Sequence, residues 1–165
     1  MKTTMMILGS ILLGSACGGS DDLTAGELSG TILSLYCDKA YGECGDQQPA
    51  GYQDFYGATA AECETILAAF LGTEADVNAS VAAGRIDFDA AQGAACIDDS
   101  TAQIDAISCA DFFAGNLTDD ASCDAALQGT VAAGGTCYTS IDCVEDTTCT
   151  FANGADTGTC EAPQA

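Results

Sequence analysis

The chain holds 165 residues, enough for one domain or for one domain with a small appendix. Its 25 acids face three Lys or Arg and no histidine, so no basic stripe exists to neutralise phosphates, and nucleic acid is excluded as a partner. The hydrophobic share of 48% rests largely on 30 alanines and 11 cysteines, which excludes a thick core of large side chains.

In chain order, residues 1–16 read as an export signal: Lys2 supplies the positive start, residues 5–14 the apolar middle, and Gly14 and Ala16 the small residues before a cut. The apolar stretch falls well short of the roughly 20 residues that span a bilayer as a helix. Cys17 follows Ala16 directly, and this junction resembles the lipobox of bacterial lipoproteins, in which the cysteine is acylated. Gly14 stands where that motif usually has Leu; Leu13 lies one position earlier. Cysteine parity supports the acylation of Cys17, because eleven is odd and removing Cys17 leaves the even set that a disulfide framework needs. Residues 17–26 are then anchor and tether, with the small, uncharged residues 18–20 giving flexibility.

The remaining cysteines fall into two groups. Cys37, Cys44, Cys63, Cys96, Cys109 and Cys123 are spread over residues 27–128; Cys137, Cys143, Cys149 and Cys160 crowd into residues 137–165. The glycine-bounded segment 129–136 reads as a linker between a helical body and a cysteine-rich tail. No C-x-x-C pair and no histidine occur, so zinc and thioredoxin-like redox chemistry have no ligands or motif, and disulfides remain. In an oxidising compartment such bonds supplement a thin core.

Within the body, Leu28, Ile32, Leu35 and Tyr36 recur at helical spacing. On that helix Cys37 and Cys44 would lie two turns, about 10.5 Å, apart, beyond disulfide reach, so each is expected to staple the helix to a different neighbour. Thr59-Ala-Ala-Glu62 has the spacing of a capping box and opens a helix through Cys63, Ile66, Leu67, Phe70 and Leu71. Thr73 caps a short turn after Gly72, Asp89 caps a helix over residues 90–106, and Ser108 opens a fourth containing Phe112 and Phe113. Strand alternation is nearly absent outside the tail. The expected fold is mostly α: a small disulfide-stapled bundle of four to five short helices, with a C-terminal cysteine-rich module of loops and short strands.

The runs YCDKAYGEC, TAAECE, AGRIDFDAAQGAAC, SCADFF and GGTCYTSIDCVEDTTC resemble the cysteine-rich predicted lipoproteins of myxobacteria, over roughly residues 28–160. Their final segment is similar to the Dickkopf N-terminal cysteine-rich module, whose pattern C-x5-C-x5-C-x10-C runs here from Cys137 to Cys160. The glycine usual between its second and third cysteines is missing from residues 144–148. The resemblance implies a scaffold and carries over no catalytic residue. The interleaved tail pairs Cys137–Cys149 and Cys143–Cys160 fit it. In the body, several pairings stay open; the expected set is Cys44–Cys63 as the shortest closure, Cys109–Cys123 around the Phe112–Phe113 helix, and Cys37–Cys96.

Asp156-Thr157-Gly158 spells the aspartic-protease triplet, but that chemistry needs two carboxylates sharing a proton between apolar strands, and a turn is the simpler reading. The acidic pairs Asp87/Asp89, Asp98/Asp99 and Asp119/Asp120 suggest calcium; an EF-hand loop from Asp87 fails at Ala91 and Gln92, and helix capping accounts for several of these acids. Arg85 is expected to pair with Asp87 or Asp89. Without histidine no Ser-His or Cys-His pair can form, and without Trp a carbohydrate cleft lacks its usual aromatic lining. Asn78-Ala-Ser80 and Asn116-Leu-Thr118 have the form of glycosylation sequons.

The sequence therefore points to a non-enzymatic, lipid-anchored cell-envelope protein with no metal, cofactor or catalytic residue. Its disulfide-stabilised domain serves interaction or structure. Gly18 after the anchor favours the outer membrane, and a protein partner is expected to be basic or to meet an apolar contact. The alternative is a secreted calcium- or ligand-binding module without lipid.

Overall fold

The computed structural model describes residues 22–118, 121–152 and 155–162; the signal, Cys17 and the start of the tether lie outside them. The fold is small and mostly α, with several disulfides and a cysteine-rich C-terminal sheet.

Helix α1 (Ala25–Asp38) is the centre of the body and packs against α3 (Ala60–Leu71), α4 (Glu74–Ala82) and α5 (Ala90–Ala106). It starts at a full capping box: Thr24 accepts from the Glu27 amide, and the Glu27 carboxylate accepts from the Thr24 amide. Glycine lets α4 come close. A Cβ on Gly26 would stand 2.4 Å from the Glu74 carbonyl oxygen, and one on Gly30 would stand 2.3 Å from Glu74 Oε1. Asn78 of α4 closes this contact by accepting from the Gly26 amide at 2.9 Å.

After Asp38 the chain makes a π-helical turn over Lys39–Glu43. The wider turn carries Cys44 away from Cys37, and the two bond to different helices, Cys37 to Cys63 on α3 and Cys44 to Cys109. The third body bond is Cys96–Cys123. The expected partners Cys37–Cys96, Cys44–Cys63 and Cys109–Cys123 are thus all corrected, and packing supplies the reason. The first turn of α3 lies beside the end of α1, so Cys63 meets Cys37 before it can meet Cys44. Phe112 of α6 (Cys109–Phe113) packs on Tyr36 with ring centroids 4.7 Å apart, in one cluster with Ala40 and Tyr52, which carries Cys109 to Cys44. Helix α7 (Ala121–Ala126), which has no counterpart in the sequence reading, lies along α5 and puts Cys123 beside Cys96, in the cluster of Leu28 and Ala126.

Four further helix starts obey local rules. Thr73, Asp89 and Ser108 cap α4, α5 and α6 through their side chains, as their spacing predicts. Thr59 accepts from the Glu62 amide, but the Glu62 carboxylate reaches the Ala58 amide at 2.6 Å and not that of Thr59, so the box is only half closed. Helix α2 (Tyr52–Tyr56) is a further short helix that brings Tyr52 into the aromatic cluster.

Two three-residue strands break the all-helical expectation for the body. β1 (Ile86–Phe88) pairs antiparallel with β2 (Leu127–Gly129), Ile86 opposite Gly129. The expected linker 129–136 continues this pairing. The Thr130 amide donates to the Arg85 carbonyl and its hydroxyl to the Gly84 carbonyl. Val131 then forms a parallel bridge with Cys143, donating to Asp142 and accepting from Val144. The segment is therefore a clamp. Gly129 is needed in it, because a Cβ there would lie 2.0 Å from the Cys143 carbonyl oxygen.

The tail is a three-stranded antiparallel sheet of order β3 (Thr136–Cys137), β5 (Gly158–Glu161), β4 (Thr148–Phe151). Its bonds are Cys137–Cys149 and Cys143–Cys160, and these four cysteines with Val131 form its apolar cluster. Between Cys143 and Cys149, Asp146 takes the left-handed conformation, φ 64°, which Asp tolerates better than most residues. None of these five disulfides joins body to tail.

Candidate functional site: the junction of body and tail

The residues of chemical interest gather where the tail meets the body. Asp142 is fully buried on the tail. It accepts hydrogen bonds from the amides of Tyr138 and Thr139 and from the Thr139 hydroxyl, and from Arg85 Nε at 3.1 Å. Arg85 also donates to Ser80 Oγ, and its guanidinium lies 4.3 Å from the centroid of the Tyr138 ring. Burial opposes the charge on Asp142, but hydrogen bonds from Ser80, Tyr138 and Thr139 outweigh it and hold the carboxyl below its ordinary pKa.

This corrects the expected pairing of Arg85 with Asp87 or Asp89. Those acids can remain solvated: Asp87 is exposed on β1, and Asp89 caps α5. A fully buried carboxylate cannot do without a counter-charge at comparable cost, so Asp142 holds the guanidinium. The other described cation, Lys39, is buried along its stem and donates to Glu43 at 2.7 Å. Both described cations are thus used internally, and the rest of the charged surface is acidic.

The remaining candidates stand apart from one another. Asp156 is exposed in a bend, while Gly158 of its triplet is buried in β5 under Cys149 Sγ, so the triplet is the turn that leads into the central strand of the tail sheet. Asp99 accepts from Ser122, Asp98 is exposed on α5, and the pair Asp119/Asp120 lies outside the described residues. Among the described residues, the one group of potential metal ligands that converges is Cys137, Cys143 and Cys149, all already in disulfides. Asn78 is held by Gly26 and Ser80 is buried, which makes the first sequon structural; Asn116 donates to Asp111.

Sequence reasoning missed Asp142, Thr139 and Tyr138. A signal was present: Thr139-Ser-Ile-Asp142 has capping-box spacing, and the Asp142 carboxylate accepts from the Thr139 amide as in such a box, with no helix behind it, while the Thr139 hydroxyl donates to the same carboxylate. Beside the junction runs a groove of about 650 Å³, lined by residues of α7, β2 and the tail, among them Asp124, Ala125, Leu127, Ile141 and Glu145.

These features define a small, disulfide-stapled, mostly α domain with a cysteine-rich C-terminal sheet clamped onto it. No family model, no curated protein and no solved structure matches this chain.

Proposed function

We propose that the protein is a non-enzymatic, lipid-anchored component of the cell envelope, held through acylated Cys17 in the outer membrane, whose domain serves interaction or structure. The observation that carries this reading is the use of chemistry for construction. The ten described cysteines are in disulfides, and both described cations neutralise buried or nearby carboxylates. Acidic side chains are among those that face solvent, with a few large apolar ones such as Phe55 and Phe70. Disulfides of this number are compatible with export to an oxidising compartment. No helix of the described residues is long and apolar enough to cross a membrane. The resemblance to cysteine-rich predicted lipoproteins supports the same reading.

Metabolic labelling with an alkynyl fatty acid tests it. The expected result is label on the wild-type chain, recovered with outer membranes, and none on the Cys17→Ala variant. An unlabelled wild-type chain released in soluble form overturns the anchor.

A further inference from the structure

The large apolar side chains that the fold leaves outside are not evenly spread. Helix α3 carries Ile66, Leu67, Phe70 and Leu71 yet fully buries only Cys63. Residues 65–73, its second half and the turn after it, hold no charged side chain in a chain with 25 acids. Phe70 is 70% exposed, and Leu71 is exposed beside it. Tyr138, also exposed, comes to the same place from the tail: a Cβ on Gly72 would stand 2.8 Å from Cγ2 of its neighbour Thr139. The run around Tyr138, residues 125–141, is likewise uncharged. Three of the five large apolar side chains exposed among the described residues thus flank one contact, and a cluster of that kind marks a surface that meets another apolar phase.

The point of anchorage decides what meets it. Five residue steps separate Cys17 from Asp22, the first described residue, and they span at most about 18 Å. Leu23 packs into the cluster of Leu28 and Cys96, so the link leaves the body at the head of α1. Helices α1 and α3 run antiparallel, with Cys37 near the end of one bonded to Cys63 near the start of the other. Ser29 and Gly30 line a shallow groove together with Ala68 and Gly72. The end of α3 therefore stands beside the first half of α1, less than about two turns along from the point of attachment. Phe55, 76% exposed, lies past the other end of α1, where Tyr52 packs on Ala40. A helix of 14 residues is about 21 Å long, more than the link spans.

We propose that Phe70, Leu71 and Tyr138 form a membrane-docking patch, seated in the headgroup region of a bilayer of net-neutral lipid when the chain is held there through Cys17. This inference rests on the anchored reading and adds to it the face that the domain turns to the membrane. Aromatic and aliphatic side chains on an exposed element settle at the boundary between headgroups and acyl chains, where the Tyr hydroxyl stays wet. The link makes that contact intramolecular, so a patch too small to recruit the free domain suffices to orient the tethered one. Glu74 and Asp76, exposed in the first turn of α4 just beyond Gly72, set the headgroup preference, because anionic lipid repels them.

The chain contains no Trp, so Phe70→Trp and Phe55→Trp each place a single fluorescent reporter at an exposed site. The chain from Cys17 onward is coupled through the Cys17 thiol, the one cysteine that the five disulfides leave over, to a maleimide lipid. The vesicles are phosphatidylcholine with brominated acyl chains. The Phe70→Trp emission is expected to move to the blue and to be quenched by the bromine about threefold or more beyond that of Phe55→Trp. Adding Leu71→Asp to Phe70→Trp should cut the quenching about threefold or more while the far-ultraviolet helical signal stays in place. Equal quenching of the two reporters, quenching of neither, or quenching indifferent to Leu71→Asp each overturns the patch. So does a blue shift without quenching that grows with surface density, which marks a second copy of the chain as the occupant. Because the lipid is attached chemically, these outcomes do not depend on whether cells acylate Cys17; the fatty-acid labelling decides that separately, so the two readings fail independently.

Discussion

The body and the tail solve the same shortage of apolar side chains in different ways. The body buries Leu28, Val77, Ile86 and Phe112 between helices, and its three disulfides fasten elements that already pack. The tail's apolar cluster is four half-cystines and Val131, so there the sulfurs are the core as well as the fasteners. A disulfide in the body adds to burial; one in the tail replaces it. The tail should therefore depend far more steeply on its bonds, and on the clamp that holds it to the body.

The sharpest way to break that comparison is Cys143→Ser with Cys160→Ser. Loss of a native disulfide from a small domain costs about 2–5 kcal/mol, more than the sheet of three short strands can supply by itself. Hydrogen exchange should show β3, β4 and β5 unprotected while α1, α3 and α5 keep their protection. Cys96→Ala with Cys123→Ala should lower the melting temperature and leave the far-ultraviolet helical signal in place.

Next in size is Arg85→Met. It leaves the buried Asp142 carboxylate without its cation, at a cost of about 3 kcal/mol, and the loss should be largest in the protection of residues 129–144. Asp142 also sets a pH dependence. Its folded pKa lies below the ordinary 3.8, so its contribution is fully present above that value. It is lost as pH falls through the lowered folded value. Acid titration of stability in the wild type against Asp142→Asn should show this limb in the wild type alone.

Gly129→Ala should follow, at about 1–3 kcal/mol, because the new methyl meets the Cys143 carbonyl and backbone must move. Exchange at Val131 and Val144 should rise first. The smallest effect expected is Thr24→Ala, about 1 kcal/mol from the loss of the α1 cap, read as a modest drop in melting temperature with the tail unaffected.

What could be read from the residues was what depends on near neighbours. Caps at Thr73, Asp89 and Ser108 act over three positions, and the spacing of Leu28, Ile32 and Tyr36 marks one helix. Thr24 and Glu27 carried the same signal as Thr73 and Asp76, and reading it would have moved the start of the body ahead of residue 27. The body disulfides depend on which helices pack together, and shortest closure is a poor guide to that. Cys44 bonds across 65 residues to Cys109 because aromatic packing puts α6 there. Strands β1 and β2 are too short for alternation to show, and the clamp they begin was hidden in residues whose glycines read as a linker. Arg85 was misassigned for the same reason: its partner is 57 positions away, and only burial of Asp142 makes that pairing preferable to a solvated neighbour.

The most direct test of two separately fastened halves is peptide mapping of the native chain without reduction, with thiols blocked at low pH before digestion. The expected fragments are joined as Cys37–Cys63, Cys44–Cys109, Cys96–Cys123, Cys137–Cys149 and Cys143–Cys160. A fragment linking any cysteine of the body to any cysteine of the tail would contradict it.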